Sequence, residues 1–332
     1  MKKVISMIML LSLCISFMYG CTNSSSKDKT ILFLANVHES GYPTSVGCDE
    51  FARLVKQRTA GRIVIETYHD GQLGEESETI KQVEVGGIDF ARVSISPLAK
   101  FDDNLNALQL PYLYNDEEHM WKVLNGQIGE DFLNSDNLKQ RGILGLTWFD
   151  GGSRNFYNTK KEVQSPEDLK GMKIRVQSSN LMMGLVSSMG AQPTPIAFED
   201  VYSSLEKGNI DGAENNWPSY ISTKHYEIAK YITVDKHTTI PEMIIASAKS
   251  LEKLSKEDVE IIKECAKEST QYQIKAWNEY EEKAINTAKE AGCTITYLDD
   301  NGIKKFQSAV EELNNTEGEK YSALVNKIKQ AQ

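Results

Sequence analysis

Residues 255–291 read SKEDVEIIKECAKESTQYQIKAWNEYEEKAINTAKEA, a run without one glycine or proline. Val259, Ile262, Cys265, Ala266, Tyr272, Ile274 and Trp277 lay an apolar stripe along it, which predicts a single uninterrupted helix. At ~1.5 Å per residue that helix would be about 55 Å long. This exceeds one domain of a 332-residue, two-domain chain, since domains run at roughly 150 residues each. The expectation is a helix that bridges two domains. The composition agrees with a globular pair: 40% hydrophobic and 25% charged residues leave enough apolar side chain for a core. They exclude a disordered chain, a collagen and a multi-span membrane protein. The net charge of -10 argues against a nucleic-acid partner, because an acidic chain repels phosphates.

On the N-terminal side of the long helix, strand and helix signals alternate. Ile31–His38 reads as a buried strand, and Pro43 opens a helix through Phe51, Leu54 and Val55 to Gly61. Ile63–Tyr68 is β-branched, Glu75–Val85 is a helix ended by Gly86-Gly87, and Asp89–Ser94 is a third strand. A helix at Asp116–Leu124 and a strand at Gly142–Phe149 follow. The alternation predicts a mostly parallel sheet covered by helices. Gly151-Gly152 reads as a hinge.

Beyond it, strands are expected at Asn155–Asn158, Met172–Val176, Gln192–Ile196 and Ile210–Ala213. Helices are expected after Ser165, at Asn180–Met189, at Phe198–Lys207 and at Ser219–Tyr231. Ile232–Ala246 is extended and is expected to return to the first domain. A strand at Cys293–Leu298 and two amphipathic helices close the chain. The expected division is 30–152 with about 241–280 in one lobe, and 153–240 with about 281–332 in the other.

Residues 1–20 have the form of a secretory signal: Lys2 and Lys3, an apolar run Val4–Met18, then Gly20. The Gly20-Cys21 junction resembles a bacterial lipobox, which would make Cys21 a lipidated first residue and anchor the protein to a membrane outside the cytoplasm. The alternative is an ordinary secretory signal with a cysteine near the cut. Residues 21–29 then form a polar tether. Cys48, Cys265 and Cys293 remain, without CxxC spacing, which argues against a zinc site or a disulfide framework. Cys265 and Cys293 could pair; three buried thiols are the expectation.

Enzyme motifs are absent. There is no GxSxG, GxxxxGK[ST], GxGxxG or HExxH, and the five histidines lack metal-ligand spacing. That leaves a binding function in front of a catalytic one.

Three ordered stretches then carry a resemblance. They are Gly71-Gln72-Leu73-Gly74 with Gly86-Gly87-Ile88-Asp89, then SPEDLKGMKIRV at 165–176, and QPTPIAF at 192–198 with DGAEN at 211–215. Together they resemble the solute-binding proteins of tripartite ATP-independent periplasmic (TRAP) transporters of the DctP type. The resemblance implies a periplasmic-binding-protein-like α/β fold, with two lobes around a cleft and a long helix spanning both. It implies an extracytoplasmic receptor that hands a carboxylate to large and small membrane subunits, with no cofactor and no metal. Arg175 on the KIRV strand would hold the carboxylate, with Asn215 and Arg154 beside it and Phe198 in the cleft. A guanidinium fork matches a carboxylate in shape and charge.

His38-Glu39, Tyr42-Pro43-Thr44, Ala91-Arg92-Val93 and NNWPSY at 215–220 resemble the branch that binds hexuronates such as glucuronate and galacturonate. On that reading His38, Glu39, Glu76, Arg92 and His237 would serve the hydroxyls, and Trp217 would cover a sugar face. Four-carbon dicarboxylate and sialic-acid receptors share the Arg175 and Asn215 logic. An anchored enzyme acting on sugar acids, with His38 and Glu39 near a base position, is the rival from another class.

Overall fold

The computed structural model describes residues 29–331. The signal and lipobox, including Cys21, lie outside the described residues. The first strands are β1 (Thr30–Ala35), β2 (Ile63–Tyr68), β3 (Phe90–Ser94) and β4 (Ile143–Phe149). The next are β5 (Ser153–Asn158), β6 (Lys173–Val176), β7 (Gln192–Pro195), β8 (Gly212–Asn215) and β9 (Tyr231–Thr239). The last are β10 (Glu242–Ser247) and β11 (Thr294–Tyr297). They form two sheets, β2-β1-β3-β10-β4 and β11-β9-β5-β8-β6-β7, one per lobe.

The first sheet is mostly parallel, as the alternation predicted, and each sheet carries one reversed strand. In the first, β1 pairs in parallel with β2 and β3, but β10 lies antiparallel between β3 and β4. The cause is the crossover. The extended segment after β8 runs through the second sheet as β9, breaks at Ile240-Pro241, and enters the first sheet as β10. Every residue of β10 is buried, which suits a central strand covered on both faces. In the second sheet, β5 is antiparallel to both β8 and β9. β7 carries Pro193 and Pro195, and it takes the edge, where a missing N–H costs no ladder bond.

The long helix runs from Lys256 to Glu290, with Ser255 capping it by accepting from the Asp258 N–H. It bridges the lobes as its length required. Ile262, Cys265 and Ala266 pack into the first-lobe core with Phe51, Phe90 and Phe149. Ala284 and Ala288 pack into the second-lobe core with Tyr157, Tyr220 and Ile232. Trp277 sits between them, 2% exposed. It lies against Gly152, whose left-handed backbone (φ +63°) and bare Cα leave room for the indole; a Cβ there would come within 2.5 Å of it.

Other departures are local. Ser219–Tyr231 is not one helix but two, Trp217–Ser222 and His225–Ile228, broken at Lys224 (φ +58°). Residues 103–140 hold a 3₁₀ turn and two short helices besides Glu117–Leu124, the helix expected at Asp116–Leu124. Three C-terminal helices, not two, cover Asp300–Ala309, Glu311–Lys320 and Ser322–Gln330. The last reaches the first lobe, where the His119 Nε2 contacts the Ile328 carbonyl at 2.8 Å. Cys48, Cys265 and Cys293 are free thiols; Cys48 and Cys265 are buried and Cys293 is half-buried. No helix among the described residues is long and apolar enough to cross a membrane.

Candidate functional site

A cavity of about 410 Å³ lies between the lobes, at the C-terminal ends of β1, β3, β6, β7 and β8. In open α/β sheets the strand ends and their loops provide such crevices. The structure brings Arg175, Asn215, Arg154, His38, Glu76, Arg92 and Phe198 together on its wall.

Arg175 leaves β6 beside the edge strand, so its side chain crosses toward the loop after β7. Its Nε donates to the Ile196 carbonyl at 2.9 Å. It is 3% exposed, and no carboxylate among the described residues pairs with it. Burial pushes this guanidinium below its ordinary value; Glu214 opposes and Arg154 adds to the shift. A buried cation in this position has an incomplete environment that an anion would complete.

Arg154 differs. It forks onto Glu214 through Nε and Nη2 and donates through Nη1 to Asn215 Oδ1 at 2.8 Å. Burial alone would raise Glu214, yet Arg154 and His237 bring it down to about 2. His237 lies behind, contacting Asp235 at 2.9 Å and Glu214 at 3.4 Å. Burial would lower His237, but Asp235 and Glu214 raise it to about 9. The chain His237–Glu214–Arg154–Asn215 therefore fixes Asn215 with every charge matched.

Arg92 is held from the first lobe. It pairs with Glu242 at 2.8 Å and Glu76 at 3.3 Å, and its Nε donates to Asn36 Oδ1 at 3.0 Å. Burial raises Glu76 to about 7, against the pull of Arg92. His38 stacks on Tyr42 with ring centroids 3.8 Å apart and meets Phe198 edge-on at 4.8 Å across the cleft. Burial lowers the His38 imidazole well below its ordinary value, and the Arg92 charge adds to this, so the ring is neutral at pH 7. Besides Glu242 Oε2, which faces Arg92, three buried donors or acceptors on this wall, Arg92 Nη2, His38 Nδ1 and Gln177 Oε1, have no hydrogen-bond partner among the described residues.

Glu39, Trp217 and His237 do not line the cavity. Glu39 is exposed. Trp217 opens a helix capped by Asn216, whose Oδ1 accepts from the Ser219 N–H at 2.8 Å. That geometry turns the indole into the second-lobe core beside Tyr220. His237 is wholly buried behind Arg154.

Sequence reasoning also missed wall residues. Glu242 is the charge that opens the otherwise apolar run of β10, and that break in pattern was the available signal. Asn216 bonds the hinge by donating to the Gly151 carbonyl at 2.8 Å. Lys100 donates to Ser178 Oγ at 2.6 Å, tying the first lobe to the second at the cavity rim.

Comparison with known proteins gives this geometry a context. Residues 34–320 match the bacterial extracellular solute-binding proteins, family 7. A solute-binding protein of Chromohalobacter salexigens is 34% identical over 90% of this chain and 88% of its own. The 2,3-diketo-L-gulonate-binding periplasmic protein of Escherichia coli is 31% identical over 78% of this chain and 80% of its own. A TRAP periplasmic solute-binding protein of Bradyrhizobium, solved with galacturonate, superposes with a TM-score of 0.86 at 36% identity, covering 90% of this chain and 99% of that one. One from Anaerococcus prevotii, solved with glucuronate, gives 0.87 at 32% identity, covering 91% and 98%. The resemblance carried by the ordered motifs is borne out, and the chain belongs to family 7 of the bacterial extracellular solute-binding proteins.

Proposed function

We propose that this protein is a receptor for a hexuronate such as glucuronate or galacturonate, which it delivers to TRAP membrane subunits. The observation that carries the reading is Arg175, a buried guanidinium on the cavity wall with no carboxylate partner among the described residues. In this reading the ligand carboxylate takes the Arg175 fork, with Asn215 beside it. The hydroxyls face Arg92 Nη2, His38 Nδ1 and Glu76, polar atoms that an aliphatic dicarboxylate would leave unmatched. Phe198 offers an apolar surface to the ring. The solved relatives holding galacturonate or glucuronate support the same ligand class.

Lobe closure is the working step. Bringing Arg92 and Arg175 onto one ligand from opposite lobes stabilises the closed form, which the membrane subunits then recognise. No covalent chemistry is required, and the protein acts as a receptor rather than an enzyme. The lobes divide as 30–152 with about 241–280 and 153–240 with about 281–332. Cys21 carries a lipid that holds the receptor at the outer face of the membrane through the tether.

A thermal-shift screen of the secreted form tests this. A ligand at 100 times its Kd adds about 2.7 kcal/mol of stability. Glucuronate or galacturonate should raise the melting temperature, while succinate and sialic acid should not. A shift with succinate alone would discard the sugar-acid reading.

A further inference from the structure

A second cavity, of about 800 Å³, lies on the face of the hinge away from the ligand cleft. The first lobe contributes Tyr112, Glu117 and Asp150 to its wall; the second contributes Trp217 and Lys236, and the long helix contributes Trp277 and Glu281. None of the binding residues assigned above requires this space.

Its chemistry is one-sided. Asp150 is 2% exposed. One of its oxygens accepts from the Gly152 N–H at 2.7 Å, and the other accepts no hydrogen bond from a described residue. The Tyr112 hydroxyl is likewise buried without a partner. Lys236 is the one cation on the wall among the described residues, and it acts on Glu281. Burial raises Asp150 to about 7, and Glu117 and Glu281 add to the shift. A carboxylate buried at a cavity wall, among like charges, is completed by a cation.

The wall also decides what kind of cation fits. No three His, Cys, Asp or Glu side chains among the described residues converge as a metal site would require. The wall instead includes Trp217 and Trp277 beside the acids. Aromatic faces with nearby carboxylates attract ammonium groups through the ring quadrupole and through charge. The volume is within the range of small-molecule sites. We propose that the hinge-side cavity binds a small organic ammonium ion, held by the Asp150, Glu117 and Glu281 carboxylates and by the indoles of Trp217 and Trp277.

The test uses the full secreted chain without any sugar acid, so its outcome is independent of the cleft reading. Tetramethylammonium chloride is titrated against tryptophan emission and by calorimetry, with sodium chloride at matched ionic strength as reference. The expected result is a saturable response to tetramethylammonium that sodium does not give. Asp150→Asn, which keeps an oxygen for the Gly152 N–H, and Glu281→Gln, on the half-buried face of the long helix, should each weaken it at least about tenfold. If Asp150→Asn does not fold, Glu281→Gln decides. No saturation beyond sodium chloride, or unchanged affinity in the folded variants, would overturn the proposal.

Discussion

At the scale of the residue, the cleft is a set of buried charges, all but one of them matched within the protein. Arg154 has Glu214 and Arg92 has Glu242 and Glu76, whereas Arg175 has, among the described residues, the Ile196 carbonyl and no carboxylate. Glu76 makes binding pH-dependent. Its carboxyl, raised to about 7 mainly by burial, faces Arg92, Glu242 and Arg175. Because its folded value lies above the ordinary 4.5, the neutral form is the one the folded cleft favours. As pH rises through about 7 it gains a negative charge in the cleft that holds the anionic ligand. Hexuronate affinity should fall between about pH 6 and about pH 8, by up to roughly tenfold per unit. Glu76→Gln should flatten that profile in a calorimetric pH series. An unchanged slope would assign the dependence elsewhere, Asp150 being the other acid raised to about 7.

Legibility differed from residue to residue. Arg175 was readable only through its motif; by local signal it was one polar position of the alternating strand Lys173-Ile174-Arg175-Val176. Asn215 was readable only through its motif; by local signal it was a turn residue before Trp217-Pro218, whereas it ends β8. Trp217 was misread because a tryptophan after two asparagines suits a sugar platform, and only the Asn216 cap reveals that the indole turns inward. Glu242 was unreadable as a partner of Arg92, since that pairing exists only once β10 has inserted next to β3.

At the scale of the element, the hinge is set by close approach. Gly151 packs on the Ile240 carbonyl of the returning crossover, and Gly152 lies under Trp277. Placing alanine at 152 costs about 1–2 kcal/mol for the left-handed backbone alone, before the indole is displaced. Gly152→Ala should therefore lower the urea midpoint with an unchanged m value; a loss confined to the backbone cost would mean that Trp277 yields freely, and an unaltered midpoint would contradict the argument. The long helix was the most legible element, because 37 residues without a breaker admit few alternatives. The break at Lys224 was the least legible. Nothing in the run Ser222-Thr223-Lys224-His225 announces a left-handed residue, and tertiary packing imposes it.

At the scale of the molecule, groups from both lobes meet around the ligand space. Tyr42 reaches Ser219 Oγ at 2.9 Å, His38 meets Phe198, and Lys100 reaches Ser178. The Lys100 bond lies at the rim rather than among the groups assigned to the ligand. A single side-chain hydrogen bond is worth about 0.5–1.5 kcal/mol. Lys100→Ala should accordingly raise the hexuronate Kd by about 2–10-fold, chiefly through faster release in stopped-flow traces. A slower association with unchanged release would show that Lys100 steers the anion instead of latching the lobes. The return of Ile232–Ala246 to the first lobe was legible, but the reversed pairing of β10 was hidden in the sequence for the same reason that makes the fold work. The strand that completes the first sheet arrives from the second lobe, a long-range pairing that local alternation does not encode.

The most direct measurement is a calorimetric titration of the secreted chain with galacturonate and glucuronate, repeated for Arg175→Ala and Arg175→Lys. Removing one partner of a buried charge pair costs about 2–5 kcal/mol, and a lysine ammonium does not reproduce the guanidinium fork. The account predicts saturable binding of at least one hexuronate by the wild type. It predicts affinity at least about 30-fold weaker in Arg175→Ala and a partial loss in Arg175→Lys, with both variants still folded. Wild-type protein that binds neither hexuronate, or Arg175→Ala that binds as tightly as wild type, would contradict it.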